Sequence, residues 1–368
     1  MAVLKSGMKI CYWTNYPSRY QAVFFHALRE AGVDLRVVYF TTYDQYRMRL
    51  GWRDDRVLEP WEIRASSVSA VRKASPDFDE RIQVCTGFYG CSYWRLVIYC
   101  VAKRVAWCAC TEGSRGGFLT WPLRVFFARL VDRFSLGVFA IGSEACRQYA
   151  GWGVRDAKIA WHCHSTPVPV SSQRPPRGER CTFVFCGALI RRKGVDVLLE
   201  AFAKVHAVCD GVSLRLIGDG SMRGWCEEFA QKHLKGEEGA KGAGSITLVG
   251  AVTPECVEDE LRQGDVVVLP SRYDAWGMTL AEGAALGLAM IGSDRTGAAL
   301  DLIEEGENGF CVPAGDVDAL AAAMLRYARC PAMAAEHGVK AQAAVGRTFA
   351  EVRAQAFVRQ LRAWTEER

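Results

Sequence analysis

Short apolar runs alternate with amphipathic stretches along the whole chain. In the first half, five apolar runs predict strands, at 8–14, 35–40, 105–111, 137–142 and 158–162. Three stretches there have helical spacing, at 21–31, 93–103 and 123–134. Residues 41–80 lack periodicity and are expected to be irregular. Strands that alternate with helices favour a parallel sheet covered on both faces.

The second half repeats this alternation. Six strand-like runs are present, at 182–186, 213–217, 246–249, 265–269, 289–292 and 310–312, with helices that include 195–208 and 279–286. A segment with four prolines, TPVPVSSQRPPRGER over 166–180, is typical of a linker between the halves. We therefore predict an N-terminal domain over 1–168, a C-terminal domain over 169–349, and a final helix over 350–368 that packs back on the N-terminal domain.

Charge is distributed unevenly along the 368 residues. The net charge is +5, but residues 1–170 carry 23 Lys and Arg against 14 Asp and Glu. This basic half is compatible with an anionic partner such as a membrane surface, and equally with a solvated arginine-rich surface. No nucleic-acid-binding module is present, and no GxGxxG follows the first strand of either half, which argues against a dinucleotide-dependent dehydrogenase.

The cysteines predict neither disulfides nor a metal site. None of the 15 forms a CxxC pair, and most lie in apolar runs, so we expect reduced thiols in a cytoplasmic protein. Cys108, Cys110 and the triplet 162–164 are expected to be structural. The longest apolar run, 96–110, is interrupted by Lys103 and Arg104, so a membrane-spanning helix is not expected.

The strongest chemical signal is PSRYDAWGMTLAEGAALG over 270–287, where a buried strand leads through a loop into a helix. Ser271 and Asp274 follow the strand, and Gly277 lets the backbone approach a ligand closely. The backbone N–H groups of the first helical turn are suited to phosphate, and Glu282 one turn later to ribose hydroxyls. A helix cap and a surface glutamate would give the same pattern.

Three further turns follow predicted strands in this half. The first, Gly187–Gly194 (GALIRRKG), supplies Arg191, Arg192 and Lys193, whose cations can neutralise a diphosphate. The second contains Gly218 and Gly220, and a lone GxG is usually only a tight turn. The third, GAVT at 250–253, offers backbone groups near Val252.

Together these segments resemble glycosyltransferase family 4, which has the GT-B fold, over about residues 181–325. The resemblance implies an α/β protein with two Rossmann-like, doubly wound parallel-sheet domains facing a central cleft. It implies retaining transfer of a hexose-type sugar from a nucleoside diphosphate sugar, without metal or cofactor. The catalytic set would be Arg192, Lys193, Asp274 and Glu282, and the donor-binding set Gly187, Arg191, Gly218, Gly220, Val252, Ser271, Trp276, Gly277, Met278, Thr279 and Leu280. Ala188 stands where the family often has arginine, so Arg191 or Arg192 would supply that cation.

The N-terminal half matches the family less well and would bind the acceptor. Polar residues at predicted strand ends are the candidates: Tyr16, Ser18, Arg19, Glu112 and Ser114, with Ser143 and Glu144 as weaker ones. The expected partners are a nucleotide-sugar donor and a glycan or lipid-linked acceptor for a cell-surface polysaccharide. The basic aromatic stretch 118–133 predicts either peripheral contact with the inner membrane face or a core helix with arginines at its edge. Two alternatives remain open, a nucleotide-sugar epimerase of the same fold and an inactive homologue that only binds a nucleotide or partner.

Overall fold

The computed structural model describes residues 7–40, 57–87, 91–113, 120–167, 180–233 and 245–367. They divide into two compact units. The N-terminal unit comprises the described residues up to Ser165 together with 348–367, and the C-terminal unit comprises those from Thr166 to Arg347. Most of the proline-rich segment 166–180 lies outside the described residues. No helix in the described ranges has both the length and the apolar character needed to cross a bilayer.

The N-terminal unit contains a seven-stranded parallel sheet in the order β3-β2-β1-β4-β5-β6-β7. Its strands are β1 (Lys9–Thr14), β2 (Asp34–Tyr39), β3 (Glu62–Arg64), β4 (Ile82–Cys85), β5 (Trp107–Glu112), β6 (Val138–Ile141) and β7 (Ile159–His162). Its helices are α1 (Arg19–Glu30), α2 (Val68–Ala74), α3 (Cys91–Lys103), α4 (Trp121–Phe134), α5 (Ser143–Gly151) and the late helix that we call α13 (Ala350–Glu366). The five strands predicted for this half are confirmed.

The prediction that residues 41–80 are irregular was wrong for the described part of that range. It contains β3 and α2, and β4 follows directly. Strands β3 and β4 were not predicted because each contains a buried polar side chain, which interrupts the apolar pattern. Glu62 in β3 accepts a hydrogen bond of 2.6 Å from the Tyr39 hydroxyl, and Gln83 in β4 accepts one of 2.8 Å from Trp13 Nε1. A buried polar group is tolerated when it is hydrogen-bonded in this way.

Helix α13 packs against α1 and β7 of the N-terminal unit. Phe357 stacks on Phe139 of β6 with ring centroids 3.9 Å apart, and Trp364 Nε1 donates to the Ala157 carbonyl at 2.9 Å. The last helix therefore covers one face of a sheet that is otherwise built from the first half of the chain.

Three buried cysteines of the N-terminal unit are unreactive. Burial raises the pKa of the Cys11, Cys85 and Cys110 thiols to about 12, so they remain protonated.

The C-terminal unit contains a six-stranded parallel sheet in the order β10-β9-β8-β11-β12-β13. The strands are β8 (Cys181–Cys186), β9 (Val212–Ile217), β10 (Ser245–Gly250), β11 (Val266–Leu269), β12 (Ala289–Ser293) and β13 (Gly309–Val312), which confirms all six predicted strands. The helices are α6 (Val195–His206), α7 (Arg223–His233), α8 (Val257–Leu261), α9 (Met278–Ala285), α10 (Gly297–Leu302), α11 (Val317–Arg329) and α12 (Pro331–Val345). The core strand β11 is fully buried, which explains its continuous apolar sequence VVVL.

Both sheets have a reversal of strand order beside their first strand. In the C-terminal unit the chain moves outward from β8 to β10 and then returns to β11 on the other side of β8. This is the strand order of a doubly wound nucleotide-binding fold, and ligands bind such sheets at the carboxyl ends of the strands where the order reverses. The fold thus points to the carboxyl ends of β8 and β11 in one unit and of β1 and β4 in the other.

Candidate functional site

The loops that follow β8 and β11 meet through a partly buried ion pair. Lys193, in the short 3-10 helix Arg191–Lys193, donates to the Asp274 carboxylate, which follows β11. The two side chains are only 16% and 15% exposed, although they lie 81 positions apart in the sequence. Beside them, Arg192 Nη1 donates to the Tyr273 carbonyl at 2.8 Å. Three of the four residues predicted to be catalytic are therefore held on two adjoining loops.

A second ion pair, which was not predicted from the sequence, fixes the same two loops. Arg272 binds both carboxylate oxygens of Asp196 in α6, at 2.6 and 2.8 Å, and Arg272 Nη1 also donates to the Arg191 carbonyl. Burial opposes ionisation of Asp196, but the Arg272 guanidinium prevails and holds the pKa of that carboxyl below its usual value. The sequence did contain a signal for this ion pair. Asp196 lies in the first turn of α6, directly after the loop that carries Arg191, Arg192 and Lys193.

The amino end of α9 lies at the carboxyl end of β8. Gly277 precedes the helix with φ of +94°, and a Cβ there would lie 2.6 Å from Thr296 Cγ2, so only glycine fits. The Thr279 hydroxyl donates to the Cys186 carbonyl at 2.8 Å, which ties the first turn of α9 to β8. Backbone N–H groups in the first turn of a helix have no partner within the helix, and together with the helix dipole they favour an anion. Met278, Thr279 and Leu280 form this turn, and the Leu280 N–H already donates to the Gly277 carbonyl at 3.1 Å.

Glu282 lies near the same strand end. Burial and, to a smaller extent, the Glu282 carboxylate raise the pKa of the Cys186 thiol to about 12, while the Lys193 ammonium opposes this shift. Both charges are thus within electrostatic range of one thiol at the end of β8. The structure brings Lys193, Asp274 and the start of α9 to the carboxyl ends of β8 and β11, and Glu282 lies one turn further along α9.

The GxG turn after β9 supports the loop after β8. Gly218 has φ of +132°, and a Cβ on it would lie 2.0 Å from the Gly187 carbonyl oxygen. A Cβ on Gly220 would lie 2.5 Å from the Leu189 carbonyl oxygen. Leu189 N donates to the Asp219 carbonyl at 2.9 Å, so the two loops are in direct backbone contact. These glycines are required by close packing of two loops at the site.

The other residues predicted to bind the donor differ in burial and in their distance along the sheet from β8. Ser271 is fully buried, its carbonyl accepts from the Ser293 hydroxyl at 2.6 Å, and its own Oγ has no hydrogen-bond partner within the described residues. Trp276 is buried, Arg191 is exposed, and Val252 follows β10 at the far edge of the sheet. In the described part of the chain, no group of three or more His, Cys, Asp or Glu side chains is placed to hold a metal ion.

The N-terminal unit has a cavity of about 460 Å³ at the carboxyl ends of its own strands. Tyr16 and Glu112 line it, and Glu112 Oε1 lies 2.9 Å from His164 Nε2. Ser18 instead precedes α1 with its hydroxyl bonded to Gln21, and Arg19 is exposed at the start of that helix. These two residues are not among those that line the cavity.

Two of the other acceptor-side candidates, Ser143 and Glu144, are also not among the residues that line this cavity. Glu144 lies on α5, where Arg147 Nη2 is 3.0 Å from it and Gln148 Nε2 donates to it at 3.1 Å, and Ser143 begins the same helix. Ser114 lies outside the described residues. Several lining residues were not predicted from the sequence, among them Thr86, Tyr93 and His162. Thr86 and Tyr93 flank the end of β4, a strand that the apolar pattern did not reveal.

The C-terminal unit has known relatives in sequence. Residues 180–329 match the family model described as "Glycosyl transferases group 1". A glycogen synthase of Mycobacterium tuberculosis is 27% identical over 166 residues, which are 45% of this chain and 38% of that protein. The lipopolysaccharide core biosynthesis mannosyltransferase LpcC of Rhizobium leguminosarum is 30% identical over 164 residues, 45% of each chain. The matches thus span less than half the length of these curated relatives.

The fold of the whole chain also has a counterpart among solved structures. Anabaena Alr3699/HepE in complex with UDP superposes with a TM-score of 0.71 at 16% identity, covering 97% of this chain and 100% of that one. At this identity the likeness establishes the fold alone. The chain has the GT-B fold of two Rossmann-like parallel-sheet domains, and residues 180–329 carry the sequence pattern of group 1 glycosyl transferases.

Proposed function

We propose that this protein is a retaining glycosyltransferase that moves a hexose-type sugar from a nucleoside diphosphate sugar to a glycan or lipid-linked acceptor. The observation that carries the proposal is the convergence of Lys193, Asp274 and the amino end of α9, the helix that also carries Glu282, at the strand-order reversal of the C-terminal unit. Group 1 sequence similarity over 180–329 supports it independently. The Anabaena protein of the same fold was solved in complex with UDP, which fits a nucleotide donor.

Each group has a part that its chemistry suits. The first turn of α9 would bind a phosphate through backbone N–H groups, and Lys193 would neutralise the charge that develops on the departing diphosphate. Glu282 would accept hydrogen bonds from the ribose hydroxyls, and Asp274 would face the donor sugar. In the transfer, the anomeric carbon–oxygen bond breaks with its electron pair going to the diphosphate. The acceptor oxygen then bonds to the anomeric carbon, and its proton passes to the diphosphate.

The Lys193–Asp274 pair suggests how the site is kept intact before a donor binds. Each charge is compensated by the other in a largely buried position. A diphosphate competes for the ammonium, so binding would release the Asp274 carboxylate toward the sugar. The pair would therefore hold both side chains near their working positions until a donor arrives.

A panel of donors tests the transferase proposal. We expect incubation with membrane extract and nucleotide sugars of several bases and sugars to release a nucleoside diphosphate and to add a sugar to an extract component, both read by mass spectrometry. Formation of an epimeric nucleotide sugar without acceptor would indicate an epimerase instead. Tight binding of a nucleoside diphosphate with no product from any donor would indicate an inactive homologue.

Replacing Glu282 with alanine is expected to weaken nucleoside diphosphate binding about 10- to 100-fold, because a hydrogen bond to a charged group contributes about 1.5–3 kcal/mol. Isothermal titration calorimetry measures the dissociation constant. The matched control is Glu200→Ala, which removes an exposed carboxylate from α6. Equal affinities for the two variants would remove Glu282 from the donor site.

We further propose that the protein works at the inner face of a membrane, through a surface formed by α3 and α4. Trp94 of α3 stacks on Phe126 of α4 with ring centroids 6.0 Å apart, so the two helices are neighbours. Their outer side, which we call the α3–α4 surface, exposes the apolar residues Ile98, Trp121, Leu123, Phe126 and Phe134. It also exposes Arg95, Arg129 and Arg133, none of which forms an ion pair with a carboxylate that the structure describes.

The charge pattern of this surface favours an anionic bilayer. Helix α3 contains no acidic residue, and the single one in α4, Asp132, pairs with Arg155 Nε at 3.0 Å. Apolar side chains beside uncompensated arginines suit the boundary between lipid headgroups and acyl chains.

The double variant Phe126→Ser with Arg129→Glu is expected to reduce co-sedimentation with phosphatidylglycerol vesicles at least about 10-fold, since it removes an apolar anchor and reverses a charge worth roughly 1 kcal/mol at such a surface. Val339→Ser, at an exposed apolar position of α12, is the control. Wild-type binding that is equal for phosphatidylglycerol and phosphatidylcholine vesicles, or that persists in the double variant, would refute the proposal.

A further inference from the structure

The cavity of the N-terminal unit has walls suited to an uncharged ring with hydroxyl groups. One part of the lining is aromatic, with Tyr12, Tyr16, Tyr20, Phe24 and Tyr93. Another part offers hydroxyl and amide groups, with Thr14, Asn15, Gln21, Thr86 and Thr111. The cavity volume of about 460 Å³ falls within the range of small-molecule sites. A sugar ring matches such walls, because its C–H faces pack on aromatic rings while its hydroxyl groups bond at the edges.

The polar groups of this cavity are held in place by a network. The Tyr93 hydroxyl donates to Asn15 Oδ1 at 2.9 Å and lies 3.2 Å from Thr86 Oγ1. The Thr86 hydroxyl in turn donates to the Trp13 carbonyl at 2.8 Å. This network joins the ends of β1 and β4, where the strand order reverses. A small ligand would therefore meet polar groups that are already oriented.

One lining side chain has an unused polar group. Ser165 is 2% exposed and lines the cavity, and its Oγ has no hydrogen-bond partner among the described residues. Buried hydroxyl groups are nearly always hydrogen-bonded, so an unpartnered one beside a cavity indicates a place for a ligand or water. A ligand hydroxyl group could both donate to this oxygen and accept from it.

The charges in the lining do not suit a phosphate. Among the described lining residues, the side chains that can carry charge near neutral pH are Glu112 and the histidines 162 and 164. Glu112 is paired with His164, and no lysine or arginine is present in that described lining. Phosphate sites use arginine or lysine. Arg95, Arg129 and Arg133 of the α3–α4 surface are not among the lining residues.

His162 is held as a neutral hydrogen-bond donor by the last helix. Arg353 Nη2 of α13 donates to His162 Nδ1 at 2.9 Å and to the Trp161 carbonyl at 3.2 Å. A guanidinium can only donate hydrogen bonds, so His162 Nδ1 must be the unprotonated acceptor. In the neutral ring the proton is then on Nε2. Burial, with the Arg353 and His164 charges adding to it, keeps the pKa of His162 well below its usual value, so the ring stays neutral.

We propose that this cavity binds an uncharged sugar ring of the acceptor, that His162 reads one of its hydroxyl groups as a fixed Nε2–H donor, and that Arg353 is the positioning residue that sets this tautomer. The ring's role as acceptor rests on the proposed transferase function, but its binding to the cavity does not. Other groups facing His162 are Phe24 of α1, Phe139 of β6 and Phe357 of α13, whose rings carry no charge.

Saturation-transfer NMR of the full chain tests the ligand class. With a nucleoside diphosphate present in excess, we expect signals from the methyl glycosides of glucose, galactose, mannose or N-acetylglucosamine, and at least about 10-fold weaker binding of glucose 1-phosphate. His162→Phe keeps a buried ring, removes the donor, and is expected to abolish the glycoside signal. A glycoside signal that survives in His162→Phe, or preferential binding of the sugar phosphate, would overturn the proposal.

Nitrogen NMR of the histidine rings tests the role of Arg353. The chain has six histidines, and His162→Phe identifies the signal of His162. We expect only the neutral Nε2–H form in the wild type at neutral pH. Arg353→Met should give mixed tautomers and a raised pKa, with glycoside binding that now varies with pH, and Arg353→Lys should restore part of the wild-type behaviour.

The control for this test is Arg359→Met, at an exposed position of the same helix, which should match the wild type. A wild-type ring protonated at Nδ1, or an unchanged tautomer in Arg353→Met, would refute the positioning role. The outcome also separates the two proposals. Glycoside binding without any transfer would defeat the transferase function alone, whereas transfer without His162-dependent binding would defeat this inference alone.

Discussion

Lys193→Ala is expected to lower the rate of sugar transfer about 100- to 1,000-fold, which is the usual loss when one group that stabilises developing charge is removed. Lys193 is the cation at the junction of the two loops that pairs with Asp274, and its side chain is 16% exposed. Its loss removes compensation for the departing diphosphate and also leaves the Asp274 carboxylate without its ammonium partner. Transfer is measured as nucleoside diphosphate released per enzyme with the best donor of the panel.

The control for this variant is Lys204→Ala, which removes the lysine of an exposed pair with Asp318. Exposed ion pairs contribute little, so this variant should keep wild-type activity and stability. A circular dichroism melt shows whether Lys193→Ala is folded at the assay temperature. Because Lys193→Ala could act through Asp274, the double variant with Asp274→Asn is informative, and it should regain stability without regaining activity. Near-normal transfer by folded Lys193→Ala would exclude this lysine from the chemistry.

Gly218→Ala is expected to lower the free energy of unfolding by more than about 3 kcal/mol and to abolish nucleotide binding. The added Cβ would lie 2.0 Å from the Gly187 carbonyl oxygen, at a φ of +132° that side chains rarely adopt. The loop after β8 must then move, and it carries Lys193. Urea denaturation gives the free energy, and calorimetry with a nucleoside diphosphate gives the affinity.

Gly211→Ala is the matched control, because Gly211 lies at the other end of the same strand, β9. Its φ of +74° is also positive, but the nearest atom to an added Cβ is Arg180 Cγ at 3.7 Å, an ordinary contact. We expect a loss of about 1 kcal/mol and normal nucleotide binding. Equal losses for the two variants would show that conformation alone, and not contact between the loops, requires glycine at 218.

The sequence predicted the C-terminal unit more fully than the N-terminal one, for a physical reason. Strands such as β11 are buried on both faces, so they read as continuous apolar runs. Strand β4 has the sequence IQVC, and its Gln83 is fully buried but bonded to Trp13, Phe78 and Arg81. The cost of burying that amide is offset by partners outside the strand, one of them 70 positions away. Hydrogen bonds to partners outside the strand cannot be predicted from the pattern of apolar positions.

The candidate sites show the same division. Asp274, Gly277 and Glu282 were found together because one strand, loop and helix carry them all. The Lys193–Asp274 pair depends on β8 and β11 being neighbours, which follows from the sheet order and not from either segment alone. The hydrogen bond between Arg353 and His162 joins residues 191 positions apart, and the sequence around either residue does not predict it. Contacts between distant segments were therefore the part that the sequence could not supply.

The position of α13 has a consequence for the order in which this protein matures. Its sheet partners are made first on the ribosome, yet the helix that delivers Arg353 to His162 is made after the entire C-terminal unit. Domains usually fold as they emerge, and here the first one must wait until the C-terminal unit has been translated. A nascent chain interrupted before Ala350 would leave Phe139 and His162 uncovered, and would be a target for chaperones and proteases. The N-terminal unit is therefore complete only after α13 has been made.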